Sequence, residues 1–433
     1  METLPRELWT PIADRLDGVD AAAFACASRA ARAAHRASRA FRSVRVARDG
    51  TVLEPASGTY DVEVAPGEPV AGALARCPRG GSVLLLPGDH GFPALRPDDE
   101  VHVFGRAAAT VRTPLECAAR TATFEGVRFV SPADVSAGGV RFQDCAFKVD
   151  VIDAGIVVRD GAHPTFIGCH VDADEVVVEG PGTRGHFENN LFHDTRVYVG
   201  NGAAPRICHN VIRGSQNFGV EVRYATATIV GNAIEVAGTG VNVIGHPPGG
   251  PRVIIEGNNI EGGSEGGTGV WLTLAAQADI EDNVMWENTD SIELFEGSFA
   301  VVRGNFLRGN GAGNGVAFHT GSGGLVSNNN VAGNRAAVLS RNGADPAIAD
   351  NLLRDSMFGV LVHNARCAMK RNRTRGVLLP RLARWHLRAG VAALTVLSTV
   401  DALSKPRRLC VETAKGGCVW CFCAGVCAYV FSF

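Results

Sequence analysis

The chain has 433 residues, with 42 Lys and Arg against 44 Asp and Glu and a formal net charge of -2. That balance offers no bulk electrostatic attraction to nucleic acid, so none is predicted as a partner. The 52 glycines follow no collagen period and fit a fold rich in corners, and a solenoid can absorb a chain of this length in one domain.

Residues 1–48 are rich in Ala and Arg. Leu4, Leu8, Ile12 and Leu16 recur every four residues, with Pro5 near the start and Asp20 placed to cap a longer Ala-rich helix toward Ala40. A small helical module is predicted. Arg29, Arg32, Arg36 and Arg39 fall on one face of its last helix, either as a solvated stripe or to meet an acidic partner. No basic segment followed by an apolar core precedes this module, so an intracellular protein is predicted, its 12 cysteines thiols or metal ligands rather than a disulfide framework.

From Thr59 to Arg106 the chain reads Val70-Ala-Gly-Ala-Leu-Ala, then Gly80-Gly-Ser-Val-Leu-Leu-Leu-Pro-Gly, then Val101-His-Val-Phe-Gly, which resembles the entry to right-handed β-helix domains, where a short helix caps the first coil and a strand ending in Pro-Gly follows. A nine-fold repeat then dominates. Phe187, Ile207, Ile229, Ile255, Ile280, Val302, Val326, Ile348 and Met369 are each followed three residues later by Asn190, Asn210, Asn232, Asn258, Asn283, Asn305, Asn329, Asn351 and Asn372. The spacings run from 20 to 26 residues, too short for a βαβ unit and too long for hairpins. Phe124, Phe142 and Phe166 continue the frame upstream with Val127, Cys145 and Cys169 in the asparagine position.

A second apolar run in most periods opens on glycine, at Gly219, Gly240, Gly269, Gly315 and Gly359, and alternates with period two. Each period therefore reads as one coil of two or three short strands. Stacked at about 4.8 Å, such coils bury a common core that none could bury alone. The predicted fold is mainly β: a right-handed, single-stranded parallel β-helix of about twelve coils over 59–379, with the asparagines in one corner column, tolerating left-handed backbone there and bonding from coil to coil.

Beyond Leu379 the repeat stops. An apolar face on Leu382, Trp385, Leu387, Val391, Leu394 and Leu397 predicts a helical cap over 380–409, too short and too charged at Arg388 to span a membrane. The tail, 410–433, carries Cys410, Cys418, Cys421, Cys423 and Cys427 and no charge from Gly416 onward. Zinc binding, a lipid anchor and a frayed end all stay open for it, and no metal site or cofactor is assigned.

The order Leu4-Pro5-x-Glu7-Leu8, Ile12, Leu16, Asp20 and Ser28-Arg29 resembles the F-box, and the region after Thr59 resembles right-handed β-helix domains. Together they resemble F-box proteins with a β-helix of the carbohydrate-binding and sugar-hydrolase type, whose repeats are also similar to those of pectin lyases and polygalacturonases. The resemblance implies a substrate-recognition adaptor of an SCF-type ubiquitin ligase. Leu4, Pro5, Leu8, Ile12 and Leu16 would hold a Skp-family protein and its cullin complex, and the β-helix would hold an unknown protein target. It also implies a cytoplasmic or nuclear place in a eukaryotic or virus-infected cell.

Alignment of the glycine-led strands puts Glu221, Asn242, Trp271 and Glu293 in one outward column and Arg223 and His319 in the next. These six residues are the predicted recognition face, with Trp271 able to stack on a sugar or anchor a peptide. Glu221 and Glu293 fall three coils apart, about 14 Å, too far for an acid/base pair. Asn288-Thr289-Asp290 matches the first polygalacturonase motif, but the later motifs do not follow. No catalytic residue is assigned, so a non-catalytic adaptor is the leading expectation, with a carbohydrate-active enzyme or a glycan- or protein-binding solenoid as the alternative.

Overall fold

The computed structural model describes residues 60–384 apart from 107, 150–153, 246–251, 263–266 and 310, together with strands Leu394–Thr395, Cys421–Cys423 and Val426–Ala428. The F-box-like segment, with Leu4, Pro5, Leu8, Ile12 and Leu16, lies outside the described residues, as does most of 385–433.

Three parallel sheets run side by side along one unit of the chain, and each coil adds one strand to each sheet in turn. The first sheet has 15 strands, from Val62–Val64 to Ala368–Lys370, and the second has 14, from Gly88–His90 to Arg373–Arg375. The third begins at Leu115–Cys117, and its last parallel strand is Leu379–Arg384, which pairs antiparallel with Leu394–Thr395. This is a right-handed parallel β-helix of about fourteen turns. It exceeds the predicted twelve because the strands at Val62, Gly81 and Glu100 already stack in register ahead of Phe124, with neither Asn nor Cys to mark them. The strand Leu379–Arg384 likewise occupies residues predicted to start the C-terminal helix, because it pairs with Phe358–His363 as one more rung.

Inside, like stacks on like. Val83, Val103, Phe124, Phe142, Phe166, Phe187 and Ile207 are successive register partners. The phenylalanine rings in that column stack at centroid spacings of 5.2, 4.7 and 5.0 Å. Each such pair adds about 0.5–1.5 kcal/mol beyond its buried area. The α-helix Val70–Arg76 buries Val70 and Ala73 in the same core next to the first strand, which protects the first coil from solvent.

The nine asparagines form a continuous buried row. In each coil from Asn190 to Asn351 the backbone N–H and Nδ2 both donate to Oδ1 of the next asparagine, at 2.9–3.0 Å. Nδ2 also donates back to the carbonyl of the preceding coil, as from Asn258 to Ile229 at 2.9 Å. Cys169 continues the row upstream by donating its N–H to Oδ1 of Asn190 at 2.8 Å, and its thiol reaches the carbonyl of Phe142. The left-handed backbone predicted for the asparagines belongs instead to the residue before each: Asn189, His209, Gly231, Gly257, Asp282, Gly304, Asn328, Asp350 and Arg371 all have positive φ. That residue turns the corner outward, which lets its successor point in.

The glycines that open the third-sheet strands sit where the chain crosses the side chains of the second sheet. A Cβ on Gly240 would lie 2.5 Å from Cγ2 of Ile260 and 2.7 Å from the carbonyl oxygen of Gly269. Gly240→Ala is expected to cost about 1–3 kcal/mol, read as a fall in the thermal unfolding midpoint, because a backbone carbonyl in a neighbouring rung cannot retreat.

Among the described residues no helix is long and apolar enough to cross a membrane. Leu397–Phe433 forms a separate compact unit whose described part is an antiparallel hairpin pairing Cys421–Cys423 with Val426–Ala428.

Candidate functional site

The outward side of the third sheet brings the predicted columns together. Glu221 pairs in register with Asn242, Asn242 with Trp271, and Trp271 with Glu293. Arg223 heads the neighbouring column through Ile244 and Thr273, and Phe295, His319 and Arg341 follow one residue beyond the register partners Leu294, Phe318 and Ser340. Glu221 and Glu293 are thus three rungs apart, about 14 Å.

The upper end of this face is a closed ion network. Glu221 is 1% exposed, and its two oxygens accept from Arg196 at 3.0 Å and from Arg223 at 2.8 Å. Arg196 also holds Glu175 at 2.8 Å. Burial raises the Glu175 carboxyl pKa above its ordinary range, and Arg196 opposes that shift. A carboxylate with both oxygens occupied and no access to solvent serves the fold first, since removing either partner would leave a buried charge uncompensated. Arg196 and Glu175 carry no repeat signature, so nothing in the sequence pointed to them.

Lower on the same face the groups are open or unspent. Asn242 is buried, and its Oδ1 finds no hydrogen-bond partner among the described residues. Trp271 is 36% exposed and meets the Phe295 ring at 5.9 Å between centroids. Phe295 in turn stacks on His319 at 4.1 Å, with the rings 1° from parallel.

Nδ1 of His319 accepts from Nε of Arg341 at 2.5 Å, which assigns the ring proton to Nε2. That nitrogen lies 3.5 Å from Oε1 of Glu293, within ion-pair reach but beyond a formed hydrogen bond, and it has no other partner among the described residues. Three consecutive rungs therefore carry an aromatic strip that ends in an imidazole directed at a carboxylate.

Asp290 joins this group from the corner that opens the Glu293 strand. Its Oδ1 accepts from the backbone N–H of Asn314 at 2.6 Å and from Nδ2 of Asn314 at 2.7 Å. Burial, followed by the neighbouring Glu293 charge, pushes its carboxyl up despite those bonds. Sequence reasoning met Asp290 only as part of a motif without its companions. The available signal was its place three residues before Glu293 at a corner.

Beyond Glu293 the column turns apolar: Ala317 and Leu339 are buried, with Phe358 and Leu361 packed against them. Among the described residues, the groups of this face that the ion network leaves over gather on the rungs of Asn242, Trp271, Glu293 and His319. Among the described residues, the His, Cys and carboxylate group with metal-ligand spacing lies elsewhere, on the first sheet.

The family described as right handed beta helix region matches residues 195–353. No curated protein matches the sequence. Among solved structures, the A-module of mannuronan C-5 epimerase AlgE4 from Azotobacter vinelandii is 13% identical with a TM-score of 0.41, over 70% of this chain and 88% of that one. The periplasmic alginate epimerase AlgG is 10% identical with a TM-score of 0.44, over 73% and 84%. The catalytic unit of a GH87 α-1,3-glucanase from Streptomyces thermodiastaticus strain HF3-3 is 13% identical with a TM-score of 0.47, over 79% and 73%.

Proposed function

We propose that the protein is a carbohydrate-active β-helix that binds a polysaccharide along the third-sheet face and cleaves it there. What supports this reading is the grouping, on neighbouring rungs, of an exposed indole with two carboxyls and an imidazole, one of those carboxyls held toward its protonated form. The indole of Trp271 offers a stacking platform for a sugar ring. Asp290 is the proton donor, because a carboxyl with a raised pKa keeps its proton nearer to neutral pH. Glu293 is the second carboxylate, oriented by His319, which Arg341 fixes in one tautomer.

The test is incubation of the full chain with a panel of acidic and neutral polysaccharides, followed by assay for new reducing ends or unsaturated products. Product formation that Glu293→Gln abolishes is the expected result. Binding on a glycan array without product would instead identify a non-catalytic glycan-binding solenoid, and absence of both product and binding would overturn the reading.

The adaptor reading rests on the sequence of residues 1–48, where Leu4-Pro5-x-Glu7-Leu8 is F-box-like. Pull-down from eukaryotic cells tests it. Recovery of a Skp-family partner that is lost on Leu8→Asp supports it, and recovery of none counts against it.

A further inference from the structure

The outward side of the first sheet, away from the face described above, carries a group of side chains that converge from two adjacent rungs. His186 and Glu188 flank the inward Phe187 on one rung, so both point out. Glu188 is the register partner of Cys208 on the next rung, which brings the sulfur to the same spot. His209 follows Cys208 at a corner with φ +57.

One donor atom each from His186, Glu188 and Cys208 lie within 4.8 Å of one another. Nε2 of His186 is 3.2 Å from Oε2 of Glu188, and Nδ1 of His209 is 3.9 Å from Oε1. In a tetrahedral zinc site with bonds of about 2.0–2.3 Å, neighbouring donor atoms lie roughly 3.3–3.8 Å apart. The 3.2 and 3.9 Å separations lie close to that range.

We propose that His186, Glu188 and Cys208, with His209 as the fourth ligand, form a binding site for a divalent transition-metal ion of the zinc class. The donor set is the one such ions select: a thiolate, imidazole nitrogens and a carboxylate oxygen. His186, Glu188 and Cys208 sit on stacked strands and His209 on the corner that directly follows one of them, so little ordering is needed to assemble them. Ile167 and Val230 occupy the equivalent positions on the rungs before and after, which bounds the site with apolar side chains.

Cys208 is 2% exposed, and burial followed by the Glu188 charge raises its thiol pKa, so the metal-free residue holds its proton. Metal binding forms the sulfur–metal bond and releases that proton to solvent, and affinity therefore increases with pH. Arg206, which also reaches Cys208 on the same strand, is the opposing charge; it is exposed and can turn to solvent. The charges of Glu188 and the thiolate together match those of the dication.

The experiment is a cobalt(II) titration of the chelator-stripped full chain in which Cys410, Cys418, Cys421, Cys423 and Cys427 are changed to serine, so that the tail cannot supply thiolates. The expected result is a saturable tetrahedral spectrum with a thiolate-to-cobalt charge-transfer band at one equivalent, bleached by zinc. Adding Cys208→Ser should abolish the band while circular dichroism and the metal-free unfolding midpoint stay in place. Glu188→Gln should weaken zinc binding at least about tenfold. A chain with Cys208 intact that gives no saturable spectrum, or a band that survives Cys208→Ser, overturns the proposal.

Discussion

Asn258→Ala is expected to cost about 3–5 kcal/mol and to split thermal unfolding into two steps. Asn258 accepts from the backbone N–H and Nδ2 of Asn232 through Oδ1, and its own Nδ2 donates to Ile229 and to Asn283. Alanine removes all four bonds at a position with no solvent access, so water cannot replace them. Each buried group left without a partner costs about 1–3 kcal/mol. The loss falls mid-stack, where only neighbouring coils touch, so the halves on either side should melt with separate midpoints. Asn372→Ala is the internal comparison. Asn372 is only partly buried and ends the row, and its loss should cost about 1 kcal/mol. Calorimetry that finds equal costs at the two positions would show that the row does not act as a continuous structure.

The second large effect concerns activity. On a polysaccharide that the wild-type chain cleaves, Asp290→Asn and Glu293→Gln should each lower turnover by about 10²–10⁴-fold, the range for loss of a positioned proton-transfer group. The two should differ in stability. Folded Asp290 binds its proton more tightly than the unfolded chain, whose ordinary value is 3.8. The fold therefore loses stability as pH rises through the carboxylate range to the raised value, and at neutral pH the disfavoured negative charge at this site is a net cost relative to the unfolded chain. Asparagine can keep the acceptor for Asn314 without that charge. Asp290→Asn should thus unfold at a higher temperature than wild type at neutral pH, with the advantage gone below the unfolded value. A variant that is inactive and less stable at neutral pH would mean that Asp290 serves the fold.

The repeat was legible because three demands coincide in it: an inward β-branched or aromatic residue, a corner, and a polar group that must bond from coil to coil. Where the third demand lapses the period vanishes from view, as at Val83 and Val103, which stack in the same inward column without an asparagine after them. The left-handed position was hidden for another reason. Its side chain faces solvent, so Asn, His, Gly, Asp and Arg all serve there. On the third sheet, period-two alternation is enough to place Glu221, Asn242, Trp271 and Glu293 in one column, since a slip of one residue would turn every Val and Ile outward. Alternation says nothing of what reaches in from adjacent rungs. Arg196, which helps to close off Glu221, comes from 25 residues upstream, and Asp290 comes from a corner where alternation has no meaning.

The asparagine row also has a direction. Every Oδ1 faces the coil before it, and one hydrogen of every linking Nδ2 faces the coil after it, so the amide dipoles add head to tail. The interior thus has a polarity along its axis, negative toward Asn190 and positive toward Asn372. A coil grafted in reverse would present oxygen to oxygen, so segments can be exchanged between stacks of this kind only in the native sense.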